Sequence, residues 1–315
     1  MLAVRVRSGL EETYHDGAVA ISMPDGKLVG SAGDIDRPFY LRSSAKPFQG
    51  FVSQISGASL NPVQLAVACS SHRGHPVQIA VVESILDSVG LDERALQCPP
   101  GWPINDEARD RLLARGASRP RRIWHNCSGK HAGFLASCVA SGWPIETYLE
   151  PSHPMQRRIV DLVTELSEYP VEPVGVDGCG APVMRTTTRA MSLLFARLGN
   201  QPRFDDVFVA MHRYPALIGG NGEGDSAIGI ATHGVAKGGA LGCVGVALKG
   251  GVGIAAKSWD GLNVMADVGA IGALRWLGGM VPAMAAALEP IGRPLQYGGG
   301  REVGYIESRL DMRSP

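Results

Sequence analysis

The sequence has no excess of charge of either sign. Its 30 Lys and Arg balance 30 Asp and Glu, for a formal net charge of zero. With no net positive field to draw in a polyanion, nucleic acid and acidic membrane surfaces are disfavoured as partners. Long apolar runs are also missing. The longest uncharged stretch, residues 47–72, carries three Gln, an Asn and several Ser and is broken by Pro62, so it is no membrane span. The opening residues MLAVRVRSGLEET hold no apolar h-region, so no secretory signal is visible and the cytoplasm is the expected compartment. Under that expectation the six cysteines, Cys69, Cys98, Cys127, Cys138, Cys179 and Cys243, read as thiols and not as a disulfide framework. Neither C-x-x-C nor H-E-x-x-H occurs, so spacing alone gives zinc only weak support. No repeat of tens of residues and no low-complexity linker divides the chain.

What the chain does have is glycine, 41 of 315 residues, about twice the usual share of ~7%. No G-x-y period is present. The glycines gather in short clusters, which suits tight turns and backbone brought close to a ligand. Residues 17–22 and 28–30, around Asp25-Gly26, read as two strands and a turn, and 241–248 with 252–256 read as a second such unit. Between them the signals are mostly helical: 77–89 after Pro76, 154–166 with Ser152 as its cap, and 185–198. A further helix is expected over 263–277. Strands at both ends with helices between predict an α+β fold, in which both chain termini close one antiparallel sheet that helices cover. The expected organisation is one domain over 1–315. It has a sheet lobe from both termini and a helical lobe at roughly 75–235.

Four segments concentrate reactive side chains. Arg42-Ser43-Ser44-Ala45-Lys46-Pro47 contains S-x-x-K, which puts Ser43 and Lys46 on one helix face. A lysine kept neutral by burial or nearby positive charge can take the proton of a serine and make it a nucleophile. Taken alone, the pattern is as readily an N-cap serine and a solvated lysine. Cys69-Ser70-Ser71-His72-Arg73-Gly74-His75 lies between an apolar run and a helix, where it is a site or a cap for the Pro76 helix. His125-Asn126-Cys127-Ser128-Gly129-Lys130-His131 is the densest cluster, and core packing would not select that set. Gly175 to Pro182 is a turn carrying Asp177 and Cys179. Cys179 and Cys127 can form a two-thiolate metal site, a disulfide, or neither. Lys237, before the C-terminal hairpin, reads on its own as one more surface lysine.

Taken in order, RSSAKPFQ (42–49), CSSH (69–72), NCSGKHAGF (126–134), VDGCGAP (176–182) and the region from AKGGALG to AAKSWDG (236–261) resemble the rhizobial-type L-asparaginases, the asparaginase II family. NCSGKH together with DGC is the specific part of the match. The resemblance implies a fold like that of serine β-lactamases, penicillin-binding proteins and glutaminases. The implied activity is hydrolysis of L-asparagine to L-aspartate and ammonia by two Ser–Lys tandems, Ser43 with Lys46 and Ser71 with Lys237. It further implies a zinc ion held by Cys127, Lys130 and Cys179 with Asp177 beside it, and a homodimer. Within that picture Ser43 is the expected nucleophile, the reverse assignment of the two serines being the alternative. Backbone N–H groups near either serine are the expected oxyanion donors. By charge, Asp177 is the candidate for the substrate ammonium, and Arg42 or His72 for its carboxylate. Zinc is expected to modulate affinity, since its charge or bound water can orient the substrate.

The chain departs from many relatives at Leu241 and near His75, where they carry acids. Lys257 is a further basic candidate. Those departures keep other readings open: glutamine or another small amide as substrate, a β-lactam hydrolase, or a non-catalytic amino-acid binder.

Overall fold

The computed structural model of the protein describes all 315 residues. Five strands form the central antiparallel sheet. With Ala3–Arg7 (β1) and Leu10–His15 (β2) preceding them, these are Gly17–Ser22 (β3), Leu28–Ala32 (β4), Val235–Gly239 (β5), Cys243–Ala247 (β6) and Gly253–Ser258 (β7), in the order β4-β3-β7-β6-β5. The join between the two ends of the chain is the β3–β7 pair, which sets Ser22 opposite Gly253 and Gly17 opposite Ser258. Every residue of β3, β6 and β7 is buried. Burial is continuous because helices cover both faces: Thr188–Leu198 packs on one and Asn263–Trp276 on the other.

The α+β class is therefore as the sequence predicts, with one difference: the termini build two sheets. Leu295–Gly298 (β8) and Arg301–Ser308 (β9) join β1 and β2 in a separate four-stranded sheet, ordered β8-β9-β1-β2. β2 is almost wholly exposed and reads LEETYH, so it carries no alternating pattern to reveal it.

The helical part contains Lys46–Ser53 (α1), Pro62–Ala68 (α2), Pro76–Asp87 (α3), Ser128–Ser141 (α4), Pro154–Ser167 (α5) and Thr188–Leu198 (α6). Asn61 caps α2 by accepting the N–H groups of Val63 and Gln64, both at 3.0 Å, while Gln64 reaches back to the Asn61 N–H. Two expected starts are corrected. The cap of α5 is His153, whose Nδ1 accepts the Met155 N–H at 3.1 Å, one residue beyond Ser152. The helix expected from Arg185 begins at Thr188, because Arg185–Thr186 pairs as a short strand with Phe39–Tyr40 and Thr187 supplies the cap. The chain continues through Gly224–Thr232 (α7), Asn263–Trp276 (α8) and Pro282–Gly292 (α9). One buried cluster fills the helical part, and a second lies between the central sheet, α8 and α9. No helix is long and apolar enough to cross a membrane.

The sheet meets α6 backbone to backbone at Gly253. A Cβ at this position would lie 2.1 Å from the Ser192 carbonyl oxygen and 2.2 Å from the Ala196 nitrogen. Neither atom can move without bending the helix. Gly253→Ala is expected to cost about 1–3 kcal/mol, read as a lower midpoint in urea unfolding. An unchanged midpoint would mean that the helix does not pack this closely.

Candidate active site

The site forms where α1, the loop after α2 and the start of α4 converge. Small residues let them approach. A Cβ on Gly50 of α1 would sit 2.4 Å from Cys69 Sγ, and one on Gly129 of α4 would sit 2.5 Å from the Val67 carbonyl oxygen of α2. The glycines of the 126–134 motif thus serve helix contact, and that contact delivers the carbonyl of Asn126 to Lys46.

Lys46 opens α1 and is fully buried. Its Nζ lies 2.6 Å from the Ser70 carbonyl oxygen, 3.0 Å from Ser71 Oγ and 3.4 Å from the Asn126 carbonyl oxygen. Burial pushes the ammonium below the ordinary lysine range, and the charges of Lys130 and Lys237 push the same way. Cys127 and Cys179 oppose them. Two carbonyls can each hold one hydrogen of the neutral amine, which leaves its lone pair directed at Ser71.

Ser71 and Ser43 line one cavity of about 220 Å³, together with Asn126, Asp225, Lys237 and Asp267. Lys237 projects from β5 and is 1% exposed. It donates to Asp225 Oδ2 at 2.7 Å and to the Gly238 carbonyl at 2.9 Å. Burial alone would raise the Asp225 carboxyl, but the Lys237 ammonium and the N–H groups of Gly238 and Ser226 bring it below the ordinary range. The four expected serines and lysines therefore converge, with different partners from those expected. Lys46 bonds Ser71, Lys237 bonds Asp225, and the Ser43 hydroxyl makes no hydrogen bond to either lysine. The Ser71 N–H goes to the Ile218 carbonyl, so it is not an oxyanion donor.

The groups expected to hold the substrate ends lie elsewhere. Arg42 Nε is 2.9 Å from Asp177 Oδ1, out of line for a hydrogen bond, so these two charges neutralise each other. His72 is fully buried, with Nε2 2.8 Å from Ser128 Oγ. Burial lowers its imidazole to about 3, so at neutral pH it is uncharged and holds no anion. Lys257 donates to the carbonyls of Leu241 and Ser258, against the rings of Phe39 and Trp259. Leu241 is 62% exposed and does not line the cavity. His75 caps α3, with its N–H bonded to Gln78 Oε1.

Cys127, Lys130 and Cys179 meet behind this wall. Lys130 Nζ donates to Cys179 Sγ at 3.1 Å, and Asp177 Oδ2 is 3.7 Å from the same sulfur. The Cys127 thiol, the Lys130 ammonium and His131 hold Cys179 far below the ordinary thiol range. Burial would lower Lys130, but the Cys179 thiolate, with Cys127 and the Asp177 carboxylate beside it, outweighs burial and raises it. No group of three or more His, Cys, Asp or Glu side chains forms a metal-holding cluster. Two sulfurs and an amine nonetheless give three converging donors of the kind a borderline-soft cation takes, provided that the cation replaces the proton on Lys130.

Three acids at the cavity lie outside the reactive segments of the sequence: Glu223, which pairs with Arg73, and Asp225 and Asp267. Asp267 did leave a trace, as the one acid in the apolar helix 263–276.

Comparison with known proteins adds the lineage. No curated protein sequence matches the chain. Among solved structures, Mglu in its glutamate form is 16% identical, with a TM-score of 0.46 over 85% of this chain and 62% of that one, so the chain spans about three-fifths of the Mglu length. A Bacillus glutaminase in 4.3 M NaCl is 12% identical, with a TM-score of 0.37 over 83% of this chain and 91% of that chain. A probable glutaminase, ybaS, is 18% identical, with a TM-score of 0.35 over 89% and 88%. The L-asparaginase II family matches residues 3–308, nearly the whole chain, and the protein belongs to that family.

Proposed function

We propose that the protein hydrolyses the side-chain amide of a small amino acid, with L-asparagine as the first substrate to test, and that Ser71 is the nucleophile and Lys46 its base. The observation that carries this reading is the buried Lys46 amine, 3.0 Å from Ser71 Oγ and tethered by two carbonyls. Ser71 Oγ attacks the carboxamide carbon while its proton passes to Lys46 Nζ. The C–N bond then breaks, and ammonia leaves with that proton. Water next attacks the acyl-enzyme, with Lys46 again taking a proton, and releases the acid and Ser71. Ser43, on the same cavity with an unengaged hydroxyl, is placed to give the departing nitrogen a hydrogen bond while the proton itself comes from Lys46. Lys237, fixed by Asp225, supplies positive potential where the oxyanion develops.

We also propose that Cys127, Lys130 and Cys179 hold a zinc ion. When bound, zinc would supply fixed positive charge behind the wall and pin the turn that carries the Asn126 carbonyl. Total metal analysis of purified protein is expected to find about one zinc per chain, and Cys179→Ser is expected to lose it. A metal-free wild-type protein purified without chelator removes this proposal.

Ser71→Ala and Lys46→Met are expected to lower ammonia release from L-asparagine by about 10³-fold or more, with Ser43→Ala costing roughly 10–100-fold. If Ser43→Ala is the dead variant and Ser71→Ala keeps turnover, the serine roles are reversed.

Acidity separates a buried base from a surface lysine. Because burial lowers Lys46 in the folded protein, the unfolded chain binds that proton more readily, so stability rises as pH climbs towards the ordinary lysine range. Activity should rise on the same acid limb as Lys46 loses its proton. Lys46→Met should be inactive, yet lose part of the stability gain seen between neutral and alkaline pH. A stability–pH curve identical to wild type would show that the amine is not perturbed.

A further inference from the structure

Three acidic side chains line the cavity, and two already have cations. Glu223 pairs with Arg73, and Asp225 pairs with Lys237. Asp267 has no ion pair and accepts no hydrogen bond, although it stands in an otherwise apolar helix, α8, whose neighbours Met265, Ala266 and Val268 are buried. Its carboxyl group lies against Gly224, the first residue of α7. A Cβ there would be 2.2 Å from Asp267 Oδ2 and 2.4 Å from its Cγ. The bare glycine is what admits the carboxyl group to the cavity.

We propose that Asp267 determines specificity by accepting the α-ammonium of the substrate, so that the cavity takes amino-acid amides in preference to amides lacking that amine. This rests on the reading of the cavity as an amide-hydrolysing site and names the group that reads the amino acid. Burial, and then Asp225, push Asp267 up to about 8 against the pull of Lys237. Mostly neutral in the empty cavity at neutral pH, such a carboxyl group gives up its proton to solvent when the ligand brings a cation, and the charged pair then forms. The other charged groups that line the cavity, Asp225 with Lys237 and Glu223 with Arg73, are already engaged in ion pairs. Asp177, the acid that the sequence offers for this role, is already paired with Arg42.

Calorimetry on the full-length protein compares L-aspartate with succinate, which differs only in lacking the amine. In parallel, ammonia release is measured from L-asparagine and from succinamic acid. Wild type is expected to prefer the amine-bearing member by about 30- to 100-fold, and Asp267→Asn to reduce that preference to about threefold or less, chiefly through Kd and KM with a smaller change in kcat. Succinate affinity and melting temperature should be little changed, which separates loss of recognition from loss of fold.

Equal binding of aspartate and succinate by wild type would overturn the inference without any variant. A preference kept in Asp267→Asn would overturn it as well, even if the protein hydrolyses asparagine. Conversely, a preference that depends on Asp267 in a protein releasing no ammonia would remove the hydrolytic reading and leave the recognition residue standing.

Discussion

An amine buried away from water must be held by backbone, and here everything else follows from how that is arranged. Solvent would otherwise keep Lys46 protonated, and burying an ammonium costs several kcal/mol. The protein meets this with the carbonyls of Ser70 and Asn126, which come from two different loops. Neither carbonyl reaches Nζ unless α1, α2 and α4 pack almost in backbone contact, as Gly50 and Gly129 permit. The chemistry of the amine and the packing of three helices are therefore one constraint. A looser helix contact would release both carbonyls and return the lysine to the behaviour of a surface group.

The second half of the cavity is built on another principle. Lys237 stands on the edge strand of the central sheet, and Asp225 enters from the first turn of α7 to meet it. Here opposite charge, and not withdrawal from charge, fixes the side chain. The cavity thus joins a helical wall that disfavours an ammonium to a sheet wall where a lysine is held in an ion pair. The two lysines do different work because their surroundings differ, although S-x-x-K and A-K-G-G look equally plain as text.

Much of the fold was legible because its signals are local. The central hairpins show as apolar runs around Asp-Gly and Gly-Gly turns, and α3, α5 and α8 show as apolar stripes or runs at helical length. The terminal sheet was not legible, because β2 is largely exposed, β8 and β9 are only part-buried, and the β1–β9 pairing joins residues about three hundred positions apart. Helix starts also slipped where the cap was a residue type outside the usual set, as at His153.

By itself the sequence determined which side chains are reactive and that they fall in a few short segments. It also determined that strands at the two ends must meet across a helical middle. Side-chain chemistry and hydrophobic period are properties of neighbours in the chain, so they can be read there. Only the tertiary structure decided the partners. Lys46 faces Ser71 because helix contact turns it that way, Arg42 is neutralised by Asp177, His72 is sealed against Ser128, and Asp267 is left as the one acidic side chain of the cavity without an ion pair. Pairing is set by distance and burial, and those exist only once segments far apart in the chain have packed.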